Sequence, residues 1–330
     1  MVQVAEIGGD ISPKSVVASG KGLFFAQNMM YRHTVTVYDR SFQLVATIPD
    51  TVVLSNFGHT EFQGEFQGAP VEAAFTSDGR YAYVSNYSMY GPGFREGADS
   101  CSPASNYPDS FVYRINTSTL QIDQVIRVGA VPKFVAVTPD NKRILVTNWC
   151  TYDLSIIDAA AGAEIQRIPI GAYPRGLAVS PDSRVAYVAV MGGTSVATVD
   201  LTTFEVGAIE GVGGGPRHLN ISPDGTQLYV TLNRDGQVAK VDIPTATVVS
   251  RVSTGSAPRS MAIADDGESL YVVNYNSSTV AKVRTSDMAV LQTEGVGYHP
   301  IGITHDAETR QIWVATYGGT LAVFQDGSPG

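Results

Sequence analysis

The sequence predicts an all-β fold: a seven-bladed β-propeller with four antiparallel strands per blade, the last blade completed by the N-terminal strand. Three observations predict it: a recurring segment at intervals of 42 residues, four short strand-like runs within each interval, and complementary fragments at the two ends. Each is taken in turn.

The interval is set by proline. Val131-Pro132-Lys133, Tyr173-Pro174-Arg175, Gly215-Pro216-Arg217, Ala257-Pro258-Arg259 and His299-Pro300-Ile301 stand 42 residues apart. Ala69-Pro70-Val71 precedes the first of these by 62 residues, and a degenerate copy at Pro13-Lys14 lies 57 residues earlier still. Two insertions follow, at 49–68 and 88–109. After each proline comes a short apolar run, such as Gly176-Leu-Ala-Val179, and then a turn, such as Asp78-Gly79, Asp140-Asn141 or Asp224-Gly225. Asp, Asn and Gly suit tight turns because they tolerate positive φ. A Tyr/Val-rich run follows, as in Leu228-Tyr-Val-Thr-Leu232, then one ending in Asp, as in Ala239-Lys-Val-Asp242, then a fourth, as in Thr247–Val252.

Stacked helix pairs also repeat at this length. No segment carries a helical stripe of ten or more residues. Four strands of about five or six residues leave about five per connection, which is the make-up of a propeller blade.

Counting strands gives closure. The seventh unit, from Pro300 to Phe324, has three runs and lacks a fourth, while Val2–Ile7 has the fourth-run pattern and no unit before it. Pairing the two removes open sheet edges. One propeller domain over 1–330 is expected, with both insertions on one face and a short flexible tail at 326–330.

Composition narrows function. Apolar residues make up 44% and charged residues 16%, enough for a core and against disorder. The net charge of −9 argues against nucleic acid as a partner. No apolar run is long enough to span a bilayer. The first residues lack the features of a signal peptide, with a removed leader as the alternative. No phosphate loop, nucleophile elbow or zinc pattern is present, so neither metal nor cofactor is expected, and a monomer is.

The units at 131–171, 173–213, 215–255 and 257–297, with their Tyr-Val-x-Asn run and Pro-x-Gly-Leu-Ala-Val-Ser-Pro-Asp-type run, resemble the Tyr-Val-Thr-Asn-type β-propeller repeat family. The resemblance covers essentially the whole chain and implies the propeller fold. The family and its lactonase-like relatives include surface proteins, nucleic-acid binders and enzymes, so it does not imply an activity.

Propeller topology puts the connections from the fourth strand to the next first strand, and from the second to the third, on one face, here the top. Both insertions land there, and long loops on a rigid scaffold commonly carry function. Five first strands open with a cation: Lys14, Lys133, Arg175, Arg217 and Arg259. Pseudosymmetry puts these around the mouth of the central channel. Each contributes about 0.4 kcal/mol to a unit anion at about 10 Å in water, and more where water is excluded. They form an anion site, or they are a repeated structural cation paired with a neighbouring blade. Tyr87, Trp149, Tyr275 and Tyr317 end second strands beside a recurring Asn, for ligand stacking or for packing between blades.

Of the five histidines, His33, His59, His218 and His299 map to the top and His305 to the opposite face. No two have metal-ligand spacing; His218 and His299 are the candidates for proton transfer. Cys101, in the second insertion, and Cys150, after Trp149, fall on the same face of adjacent blades. A disulfide there implies a secreted or periplasmic location, and two free thiols imply the cytoplasm.

The expectation is a binding scaffold whose top face takes a small anionic molecule, a glycan or a protein. The alternative is a lactonase-like hydrolase or lyase acting on an anionic substrate held by the arginines.

Overall fold

A computed structural model describes residues 1–327. It contains seven antiparallel sheets in a closed ring. In blade 3, for example, strand A is Pro132–Val137, B is Arg143–Asn148, C is Asp153–Asp158 and D is Ala163–Pro169, hydrogen-bonded in that order. Proline suits the first position of strand A, where its missing N–H breaks no ladder bond. The A strands crowd around the axis. At Gly176, a Cβ would lie 2.6 Å from the Arg217 carbonyl oxygen and from the His218 Cα of the next blade, and Gly302 meets Ser15 Cα at 2.6 Å.

Burial follows radius. Strand B of blade 6, Ser269–Asn274, is buried throughout, whereas strand D of blade 5, Thr247–Ser253, alternates between exposed and half-buried. The core is therefore not central. It lies between blades, where Leu145 and Ile156 of blade 3 meet Leu177, Val188 and Val199 of blade 4. The same pattern joins Trp313 of blade 7 to Phe24 of blade 1, stacked at 4.0 Å.

The ring closes as expected. Val2–Ile7 pairs antiparallel with Thr320–Gln325, the third strand of blade 7, from Val2 opposite Gln325 to Ile7 opposite Leu321. Arg40 of blade 1 reinforces this seam with two hydrogen bonds, of 2.9 and 3.0 Å, to buried Asp306 of blade 7.

Three details differ from the sequence expectation. Asp326, assigned to a flexible tail, is 3% exposed. Lys282 Nζ at 2.7 Å and the Tyr271 hydroxyl at 2.6 Å hold its carboxylate, with the Met1 ammonium 3.7 Å away. Residues 328–330 of that tail lie outside the described residues. The insertions are also not loops throughout. Strands A and B of blade 2 run on as Phe66–Phe75 and Tyr81–Tyr90, and Thr51–Val52 adds a fifth strand to this sheet. Phe62, Phe66, Phe94 and Phe111 pack together above the blade, so the insertions bury a small core of their own. Third, the recurring Asn, a residue type expected to satisfy backbone groups at a strand end, divides its bonds. Asn233 and Asn274 donate to the carbonyls of Pro258 and Thr254 at 3.2 and 3.0 Å, whereas Asn148 serves strand C side chains. Asn148 Nδ2 donates to Asp153 at 2.6 Å and to Ser155 at 2.8 Å.

Candidate anion site at the channel mouth

Strand A opens at the top of the channel, so the residue after each first-strand proline projects at its mouth. Lys14, Arg175, Arg217 and Arg259 line one small void of about 10 Å³ there, with Glu72, His218 and Ser260. Lys133 joins Lys14 in the floor of an adjoining cup of about 450 Å³. The five cations are close enough to perturb one another. Burial, then Arg175, Arg217, Lys133 and Arg259, hold the Lys14 ammonium well below the ordinary lysine range. Burial and Arg175 bring Lys133 to about 7, against the pull of Asp99. Burial lowers all three arginines too, yet guanidinium stays charged in proteins.

Their partners are mostly not carboxylates. Lys133 Nζ donates to Asp99 Oδ1 at 2.9 Å, the one ion pair to this ring among the described residues. Lys14 Nζ donates to the Tyr317 hydroxyl at 2.6 Å. Arg217 Nη1 faces the Met191 sulfur at 3.5 Å, a weak acceptor. Arg259 lies 3.6 Å over the Tyr275 ring. Arg175 Nη1 and Arg259 Nε are buried without a hydrogen-bond partner. Buried donors left unpaired are costly, and such an arrangement favours an incoming acceptor.

The four aromatics expected at second-strand ends gather on these cations, although Tyr87 lies within the strand Tyr81–Tyr90, which the blade 2 insertion prolongs. Tyr87 and Trp149 flank Lys133, with Nζ 4.1 and 5.0 Å from their rings, and Tyr317 lies 5.0 Å from Lys14. Each cation–π contact contributes about 0.5–2 kcal/mol. The rings thus position the ammonium and guanidinium groups.

The histidines separate. His218 sits in the channel with Nδ1 3.5 Å from Ser260 Oγ and its ring edge-on to Phe134. Burial, Arg175 and Arg217 lower it to about 3, so it is neutral at pH 7. His299 stacks on Tyr298 at 3.8 Å and lies tilted against Tyr275 at 4.0 Å. His33 Nδ1 bonds to the Gly68 carbonyl at 2.9 Å, and His59 Nε2 to that of Val125 at 3.1 Å. His305 stacks on Tyr271 and lines, with His218, a cavity of about 360 Å³ along the inner strands.

Cys101 and Cys150 are joined in a disulfide, with Cα atoms 5.3 Å apart. Beside it, Trp149 Nε1 donates to the Asp99 carbonyl at 2.9 Å and the Tyr152 hydroxyl to that of Cys101 at 2.8 Å.

Sequence reasoning missed Glu72 and Asp99. Glu72 enters the void beneath the cations, and burial raises it to about 7 in spite of Arg175. The repeat held a signal: the position after the ring residue reads Ser15, Glu72, Phe134, Gly176, His218, Ser260 and Gly302, with one carboxylate among seven. Asp99 belongs to an insertion outside the repeat and had none.

A family model described as the cytochrome D1 heme domain matches residues 188–296, about a third of the chain. No curated protein matches. Among solved structures, Kuenenia stuttgartiensis hydrazine synthase matches with a TM-score of 0.78 over 100% of both chains, at 16% identity. That likeness establishes a shared seven-bladed propeller fold. With 1744 solved chains matching, the fold does not discriminate among functions.

Proposed function

We propose that the protein is a binding scaffold, built on Tyr-Val-Thr-Asn-type repeats, that takes a small anionic ligand at the channel mouth. The observation that carries this reading is the excess of buried cations there over carboxylate partners: Asp99 pairs with one of five. Glu72, raised to about 7, supplies only part of a counter-charge near neutral pH. A low-dielectric mouth strengthens each attraction well beyond its value in water.

The hydrolase or lyase reading is weaker. A histidine held at about 3 is a feeble base at neutral pH, and His299 lies against the Tyr298 and Tyr275 rings. Heme, suggested by the partial match, finds no ligand set within the matched stretch. Its single histidine, His218, faces Ser260 Oγ and Phe134, and lines both the void of about 10 Å³ at the mouth and a cavity of about 360 Å³ along the inner strands. No step is assigned to that group. The disulfide supports an oxidising, extracytoplasmic setting, and no helix among the described residues is long and apolar enough to cross a membrane.

Isothermal titration with phosphate, succinate and citrate tests the reading. Saturable binding is expected that weakens with salt and falls at least tenfold in the Arg175→Ala/Arg217→Ala variant, a change of about 1.4 kcal/mol. Absence of anion binding, or binding that the folded double variant retains in full, would overturn it.

A further inference from the structure

The channel mouth opens into the cup above blades 1 and 2, and the two share Lys14. At about 450 Å³ the cup falls within the ordinary range of small-molecule sites. Resting on the anion-binding reading, we infer that the ligand is an amphipathic carboxylate, its acid group held by Lys14 and the neighbouring arginines and its flat apolar body lodged in the cup.

The cup combines apolar and charged walls: methionine and tyrosine side chains line it together with Lys14 and Lys133, and the Glu96 and Asp99 carboxylates line it too. Met29, Met30 and Tyr31 come from the turn between the second and third strands of blade 1, and Tyr87 and Tyr90 from the lengthened second strand of blade 2. Methionine adapts its shape to flat partners and contacts aromatic rings favourably. Lys14 supplies a head-group donor, with a phenol oxygen and no carboxylate within ion-pair reach. The charge rests chiefly on Arg175, Arg217 and Arg259, because burial and these neighbours hold the Lys14 ammonium well below its ordinary range.

The walls are held in place. Tyr87 and Tyr90 each donate a long 3.4 Å hydrogen bond to insertion carboxylates, Asp99 and Glu96. His33 packs edge-on to Tyr90, with ring centroids 5.0 Å apart. Tyr31 is 84% exposed and has φ 67°, a left-handed conformation that is unfavourable for a bulky residue. Positive φ recurs at turns around the ring, as at Val131, Tyr173 and Ala257, so Tyr31 is set apart by an exposed aromatic ring that lines the cup.

Calorimetry on the intact chain with acetate, phenylacetate, 1-naphthylacetate and the neutral 1-naphthylacetamide tests the inference, with succinate as the apolar-free control. Affinity is expected to rise at least tenfold from acetate to 1-naphthylacetate, and the amide to bind at least tenfold more weakly than its acid. The Met30→Ala/Tyr31→Asn variant, whose Asn tolerates the left-handed backbone, is expected to lose that gain while binding succinate as the wild type does; near-UV circular dichroism checks its fold. Equal affinity for acetate and 1-naphthylacetate, or a gain that the variant keeps, overturns the inference and leaves the anion site standing. If neither succinate, citrate nor phosphate binds, the underlying reading falls with it.

Discussion

Asp99 Oδ1 stands 2.9 Å from Lys133 Nζ, and through this contact an insertion supplies the cationic ring with a carboxylate of its own. The side chain is 81% exposed, while that of Lys133 is 7% exposed. Lys133 and, more weakly, Lys14 and Arg175 outweigh partial burial and keep Asp99 ionised. The disulfide two residues on and the Trp149 hydrogen bond hold this segment over the mouth.

An anionic ligand competes with that carboxylate. Asp99→Asn is expected to raise succinate affinity roughly threefold to tenfold, the effect of removing about 0.7–1.4 kcal/mol of opposing charge. Calorimetry on the two proteins at equal ionic strength decides it; unchanged or weaker binding would count against competition.

The pH dependence has a defined sign. Glu72 is raised to about 7, so its favourable contribution to stability is complete below its ordinary carboxylate range and is lost as pH rises through 7. Lys133 is lowered to about 7, so its contribution is complete only above the ordinary lysine range and is lost as pH falls through 7. Glu72 meets Arg175, Lys14 and Ser15, and Lys133 meets Arg175, Arg217 and Asp99. These two groups together give a stability minimum near neutrality. Both also weaken anion binding as pH rises past 7, Glu72 by ionising and Lys133 by discharging. Succinate affinity is expected to be highest near pH 6 and to decline toward pH 8. Glu72→Gln is expected to flatten this profile and to raise Tm by roughly 2–5 °C at pH 8, with less gain at pH 5. Parallel melts of both proteins at the two pH values test it.

Ring closure depends on a strand far from its partner in sequence. Deleting residues 1–8 removes the strand paired with Thr320–Gln325 and the Met1 ammonium beside Asp326. The exposed edge is expected to lower Tm by more than about 10 °C and to promote association through strand pairing. Calorimetric melting and light scattering are the readouts, and a monomer of unchanged Tm would contradict the role given to this strand.

The disulfide constrains a 49-residue separation, which corresponds to about 4 kcal/mol in the chain-entropy treatment. Because it joins an insertion to blade 3, its loss in Cys101→Ser/Cys150→Ser is expected to loosen residues 91–109 and spare the sheets. Faster proteolysis in that segment with unchanged far-UV circular dichroism is the expected pattern. Succinate affinity is expected to rise as in Asp99→Asn, since the same carboxylate is released.

Much of this was legible in the chain. Proline spacing located each first strand from Pro132 to Pro300, and the residue after each proline located the ring cations, because a repeated local pattern carries position around a pseudosymmetric axis. Other features were not legible. The lengthened hairpin of blade 2 depends on Phe62, Phe66, Phe94 and Phe111 finding one another across two insertions, contacts that no periodicity encodes. Asp326 looked like the start of a tail because its partners, Lys282 and Tyr271, belong to another blade.

The sequence by itself determined the number of blades, the strand that closes them and the residues at the channel mouth, since each follows from alternation, turn chemistry and counting. Only the tertiary structure decided which of those residues are paired. It set Asp99 on Lys133, left Arg175 Nη1 without an acceptor and brought Glu72 beneath the ring. The physical reason is that burial and charge pairing are properties of neighbours in space, and around this axis those neighbours come from different blades and from insertions outside the repeat.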